Sequence, residues 1–156
     1  MTEEDDVRRA AEATLTASRA LLGIIARSTL PALEEVSLPQ FRVLVLLSSA
    51  GPLRMGALAE RLGVTVSTFS RSADRLVGGG WAVREDNPDS RREVILAPTE
   101  QGRRLVTAVT EHRRRLIEEV LAAMPATQRR GLIDALQAFA DAAGEPTDVD
   151  LLALGL

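Results

Sequence analysis

Apolar side chains recur along most of this chain at helical spacing, broken by short punctuation of glycine and proline. Val7, Ala10, Ala11, Thr14, Leu21, Leu22 and Ile25 fall near a 3.6-residue period and predict a helix over 6–30. Pro31 is expected to close it, because proline disfavours helical geometry in the residue before it. A second helix begins at Ser37, a good N-cap, with Pro39 in the first turn, where a missing N–H costs nothing. It carries Phe41, Val43, Leu44 and Leu47 and stops before Gly51-Pro52. A short third helix covers about 55–62, Gly63 makes a sharp turn, and Thr65 caps a fourth helix that reaches 77. Gly78-Gly79-Gly80 ends it.

Two β-favouring segments follow, 81–84 and 94–97. They flank a polar stretch, 85–93, which predicts a two-stranded hairpin with a long loop turned at Pro88. Thr99 opens a long helix that runs to 124, and Pro125 interrupts it. Thr127 caps a last helix to 142, which Gly144-Glu145-Pro146 breaks. The predicted class is mainly α with a small β-hairpin, in the order helix, helix, helix, turn, helix, hairpin, helix, helix.

The segment 55–69 has the pattern of a helix-turn-helix unit. Leu58, Ala59 and Leu62 face Val64, Val66 and Phe69 across the turn at Gly63, and the small Ala59 lets the helices approach closely. On the second helix Val66, Phe69, Ala73, Leu76 and Val77 form the expected buried stripe. The opposite face carries Ser67, Thr68, Arg71 and Arg75, with Thr65 at the N-terminus. Hydroxyls and free N–H groups at a helix N-terminus attract phosphate, and an Arg fork matches the O6 and N7 of guanine. Asp74 is placed to orient Arg71 or Arg75, or to accept from cytosine. A hairpin after such a helix can lay its tip along the minor groove, where Arg91 and Arg92 suit a narrow negative channel. The candidate DNA-binding residues are therefore Thr65, Ser67, Thr68, Arg71, Arg75, Arg91 and Arg92, and the expected partner is double-stranded DNA.

Composition changes this picture only at the margins. The chain has 156 residues, 46% hydrophobic and 26% charged, which fits a globular protein of one compact subunit. No apolar run reaches membrane-spanning length, and the acidic start Glu3-Glu4-Asp5-Asp6 does not resemble a secretory signal, so a cytoplasmic location is expected. There is no cysteine, which removes disulfides and thiol chemistry. Every basic side chain is Arg, and the spread of Arg along the chain, beside abundant Ala, Leu, Val and Gly, fits codon usage better than function. The formal charge of −3 does not point to nucleic acid, but a local basic face is enough.

An enzyme is not supported. The single histidine, His112, sits beside Arg113-Arg114-Arg115 in a helix, and reads as a surface or interface residue with the Arg run as a solvated face. No Gly-x-Ser-x-Gly elbow, phosphate loop or histidine pair is present, so no catalytic residue, metal site or cofactor is expected. A winged module that binds only protein is the remaining alternative. Phe41 and Trp81 are the aromatic candidates for lining a ligand pocket.

Gln40-Phe41-Arg42-Val43-Leu44, 58–64, 67–71, Asp74-Arg75-Leu76 and the stretch from Asp89-Ser90-Arg91-Arg92 through Thr99-Glu100-Gln101-Gly102 resemble, in order and spacing, the MarR family of bacterial regulators. The resemblance covers about 37–105. It implies a winged helix-turn-helix over 37–98, an N-terminal dimerisation helix over 1–36, C-terminal dimerisation helices over 99–143 and a tail, 144–156. It also implies a homodimeric repressor on a palindromic operator, released in many members by a small aromatic or phenolic effector. Three positions differ from the family pattern, among them Ser72, where such a helix usually carries an apolar residue. Ser90 stands where the wing usually has Asp, with Asp89 one residue earlier, and Pro98 stands where a Leu usually precedes the Thr.

Overall fold

The computed structural model describes residues 2–87 and 90–144; the side chains of Arg91 and Arg92 lie outside that description. The long first helix, α1 (Glu3–Glu35), starts at a capping box. Thr2 Oγ1 accepts from the Asp5 N–H at 3.2 Å, and the Asp5 carboxylate faces the Thr2 N–H at 3.4 Å. Glu3, Glu4, Asp5 and Asp6 put negative charge in the first turn, where the helix dipole favours it.

Pro31 does not end α1; the helix runs through it to Glu35. A proline inside a helix costs about 3 kcal/mol. Continuing the helix keeps Ala32 on the same buried face as Ile24 and Ser28 and delivers the capping Val36 into the core. Burial of an aliphatic side chain returns roughly 1.5–3 kcal/mol, enough to offset most of the proline penalty.

Helix α2 (Leu38–Ala50) begins as expected, with Gln40 reaching back to accept from the Ser37 N–H at 2.8 Å. It is the centre of the core: Phe41, Val43, Leu44, Leu46 and Leu47 are all buried. Because it is covered on most sides, its apolar residues form a run rather than one stripe. After Gly51 the chain forms a two-residue strand, β1 (Leu53–Arg54), then α3 (Met55–Arg61) and α4 (Val66–Gly78). Gly63 turns between these helices at φ +65°, a backbone region where a side chain is strained.

Strands β2 (Ala82–Asn87) and β3 (Ser90–Pro98) form the hairpin, and β1 joins the other edge of β3 to give the antiparallel order β1-β3-β2. The strands are longer than the hydrophobic pattern indicates. Glu85 and Asp86, expected in the loop, pair with Ile95 and Val94, and a register shift lies between Asp86 and Asn87. The middle of β2 is exposed, so its polar residues cost nothing in a strand. Pro88 and Asp89 of the expected turn lie outside the described residues. Pro98 ends β3 opposite Ala82, and its carbonyl accepts from Arg103 Nη1 at 2.7 Å.

Helix α5 (Glu100–Ala122) is capped by Thr99, whose Oγ1 accepts from the Gly102 N–H at 3.1 Å. Helix α6 (Ala126–Ala143) has Pro125, not Thr127, at its cap position. The Pro125 carbonyl accepts from Gln128 and Arg129 at 3.0 and 3.1 Å, which places Thr127 inside the first turn. Helix α6 buries none of its residues, and Ile133, Leu136 and Phe139 stand exposed along it. The tail beyond Gly144 lies outside the described residues.

Candidate nucleic-acid interface

Helices α3 and α4 pack through Leu58, Ala59, Phe69, Ala73 and Leu76, all buried. The expected stripe is thus correct from Phe69 onward, and Val77 is half-buried against it. Val66 is a correction: it is 53% exposed, and Val64 is exposed as well. Val66 opens the first turn of α4, beyond the reach of α3's packing face, and borders a cleft between α3 and the hairpin.

Burying Phe69, Ala73 and Leu76 forces the other face of α4 outward. Thr65, Ser67, Thr68, Arg71 and Arg75 are all exposed there. Thr65 Oγ1 accepts from the Thr68 N–H at 3.2 Å, caps the helix, and lies 3.0 Å from Ser67 Oγ and 2.9 Å from Thr68 Oγ1. This sets three hydroxyls together at the positive end of the helix dipole. Neither Arg71 nor Arg75 enters an ion pair among the described residues, so both guanidinium forks face solvent.

Asp74 does not orient either of them. Its carboxylate accepts from Arg84 Nη2 on β2 at 2.6 Å, tying α4 to the wing. Arg84 and Asp74 are both substantially exposed, so the pair sets direction more than stability. The wing is held on its other side by Glu93, which accepts from Asn87 Nδ2 at 3.0 Å and from Arg54 Nη1 at 3.4 Å. Arg54 and Arg84 border the cleft between α3, α4 and the wing. Sequence reasoning missed both. Arg84 closes the short β-favouring segment that follows α4, a position readable in the sequence; Arg54 depends on β1, which two residues are too short to announce.

Arg91 and Arg92 belong to β3 by backbone, near the hairpin tip. Phe41 is buried and lines a cavity between α1, α2 and α5. Trp81 packs against the core and the backbone of Gly79 instead. His112 is half-buried on α5. Arg113 departs from the expected solvated face: its Nε donates to the buried Ser28 Oγ at 3.2 Å, and burial lowers its pKa. Among the described residues no helix is long and apolar enough to cross a membrane, and no cluster of His, Cys, Asp or Glu is arranged to hold a metal.

This fold is similar to that of several solved proteins. The structure of RV1404 from Mycobacterium tuberculosis superposes with a TM-score of 0.78 at 45% identity, over 93% of this chain and 99% of that one. The transcriptional regulator Tm0710 from Thermotoga maritima gives 0.74 at 25% identity, over 86% and 94%. An uncharacterized HTH-type transcriptional regulator of Bacillus subtilis, YfiV, is 25% identical over 102 residues. That match spans 65% of this chain and 64% of the relative's length. Residues 36–94, from the end of α1 into β3, match the MarR family. The winged helix-turn-helix built from α2 to β3, the long helices around it and the likeness to RV1404 over 93% of the chain agree: this chain belongs to the MarR family of transcriptional regulators.

Proposed function

We propose that the chain is a sequence-specific, DNA-binding repressor that acts in the cytoplasm as a homodimer on a palindromic operator and is released by a small ligand. The observation that carries this reading is the face of α4. A helix whose buried residues lock it into the core turns Ser67, Thr68, Arg71 and Arg75 outward. In the major groove, Arg71 meets a guanine edge while the hydroxyls at the N-terminus meet phosphates. Arg91 and Arg92 of the wing follow the adjacent minor groove.

Two copies meet through α1, α5 and α6, whose exposed apolar residues have no cover within one subunit. Residues 37–98 then form the DNA-binding part, and the two α4 helices read half-sites about one helical turn apart. The cavity between α1, α2 and α5 joins the dimer helices to the DNA-binding part. A ligand bound there releases DNA to the extent that it prefers the spacing of α4 helices that DNA does not accept.

Sequence selection from random duplexes, followed by affinity measurements across a salt series, tests the DNA reading. A linear fall of log affinity with log salt and an enriched inverted repeat are expected. Retention on DNA that is absent at every salt concentration would leave a protein-binding winged module. On the enriched site, Arg71→Ala is expected to cost about 1–3 kcal/mol and to relax the preference at one base pair. Equal weakening on all sequences would make Arg71 a phosphate contact.

A further inference from the structure

Arg54 is the last residue of β1 and the N-cap of α3. Its backbone is fixed on both sides. Strand β1 pairs it with Ile95 of the wing strand β3, and α3 begins at the next residue. Its side chain serves neither element: it makes no capping hydrogen bond to α3, and 62% of it is exposed. It borders two adjoining clefts, one between α3, α4 and the wing, the other between α3, β1 and the wing.

The first cleft lies where the two DNA-contacting elements meet. Val66 and Ser70 of α4 line one side, and Arg84 and Val94 of the wing line the other. When α4 enters a major groove and the wing enters the adjacent minor groove, the sugar-phosphate strand between the grooves crosses this gap. A fixed cation that replaces a counterion of that strand gains affinity. Two arginines line the cleft, and they differ in how firmly they are held. Arg84 is engaged with Asp74 at 2.6 Å and is 38% exposed. Arg54 faces Glu93 at 3.4 Å, a long contact between two exposed groups that is worth little in water. Glu93 also accepts the shorter bond from Asn87 Nδ2 at 3.0 Å, so the departure of Arg54 does not leave its carboxylate without a partner.

Resting on the reading of this chain as a DNA-binding regulator, we infer that Arg54 leaves Glu93 when DNA binds and pairs with the backbone phosphate between the two grooves. The guanidinium fork suits phosphate oxygens, and the fixed backbone of Arg54 sets how α4 and the wing are placed along the strand. Arg54 is a positioning contact: it adds affinity on any duplex and carries no sequence information. Glu93 and Glu60, the carboxylates of the same cleft, oppose the phosphate. Glu93 therefore works against DNA binding while it holds Arg54 in the free protein.

A salt series on the full-length protein, with its selected inverted repeat and with an unrelated duplex, tests the inference. Arg54→Gln keeps a donor for Glu93 and removes the charge. It is expected to flatten the slope of log affinity against log salt by about 0.9 per bound subunit. At about 0.1 M salt the affinity is expected to fall about fivefold to tenfold per bound subunit, equally on both duplexes. Arg54→Lys is expected to restore most of the slope. Glu93→Gln keeps an oxygen for Asn87 and removes the competing charge. It is expected to tighten binding severalfold, and to gain less when combined with Arg54→Gln.

An unchanged slope for Arg54→Gln, in protein whose wild type binds DNA, would overturn the inference and leave the DNA reading standing. Weaker binding by Glu93→Gln would overturn it too, because the pair would then be a strut that holds the wing. Should Arg54→Gln fail to fold by circular dichroism, Arg54→Met carries the same slope measurement and the sign of the Glu93→Gln effect is read beside it. A wild type without salt-dependent retention on either duplex would remove the DNA reading and this inference with it.

Discussion

Gly102→Ala is expected to destabilise the protein by about 3 kcal/mol, at the upper end of what overpacking a core costs. Gly102 lies in the first turn of α5 and is buried. A Cβ there would run into the carbonyl oxygen of Trp81 and crowd Leu44 Cδ2 at 3.2 Å. Neither neighbour yields easily. The Trp81 carbonyl also accepts from the Thr99 N–H at 3.1 Å, so it is pinned at the junction of β2 and α5, and Leu44 is fully buried. The helix start would have to move away from the wing. Urea unfolding at one fixed subunit concentration measures the effect as a lower midpoint with an unchanged slope. Gly56→Ala is the matched control. A Cβ at Gly56 meets nothing within 4 Å, so the better helix former is expected to be neutral or to stabilise by up to about 1 kcal/mol. Identical midpoints for Gly102→Ala and the wild type would show that α5 is not seated on the Trp81 backbone.

The double substitution Ile133→Glu with Phe139→Glu is expected to convert the protein to a monomer at micromolar concentration. Its affinity for the selected inverted repeat should then fall on the order of a hundredfold or more, because the second half-site is no longer bound from the same molecule. Ile133 is 67% and Phe139 57% exposed, yet both are large and apolar and lie on a helix that buries nothing within its own subunit. Four charges introduced by two subunits across one two-fold interface are strongly unfavourable. Because neither residue contributes to the core around α2, the winged region itself should stay folded, which circular dichroism can check. A variant that remains dimeric by light scattering, with unchanged DNA affinity, would place the interface elsewhere.

Much of this protein was legible in local sequence chemistry. The N-caps at Ser37, Thr65 and Thr99, the turn at Gly63 and the glycines after α4 each act within a few residues, so their meaning survives without a fold. The outward face of α4 was legible for a related reason. Phe69, Ala73 and Leu76 repeat at helical spacing, and burying them turns Ser67, Thr68, Arg71 and Arg75 to the opposite side.

What escaped depends on partners distant in sequence. Pro31 is a helix terminator by local rules, and only the core beneath Ala32 and Val36 makes continuing the helix favourable. Strand β1 exists because β3 offers it an edge, a gain that two residues cannot signal by alternation. The polar stretch 85–93 pairs through backbone groups, which carry no hydrophobic pattern.

Charged side chains were the hardest to place, since a long arm chooses its partner in three dimensions. Asp74 was within one helical turn of Arg71 and directly before Arg75, yet it reaches across to Arg84 because α4 packs against β2. Arg113 stands in a run that reads as solvated, and it turns inward to Ser28, eighty-five residues earlier, because α1 and α5 lie side by side. Local sequence thus determined most of the helices, the caps of α2, α4 and α5, and the outward polar face of α4. Tertiary packing decided which charges are spent on holding the wing and that Arg113 turns inward to Ser28, because electrostatic partners are selected by proximity in space and by burial, not by spacing along the chain.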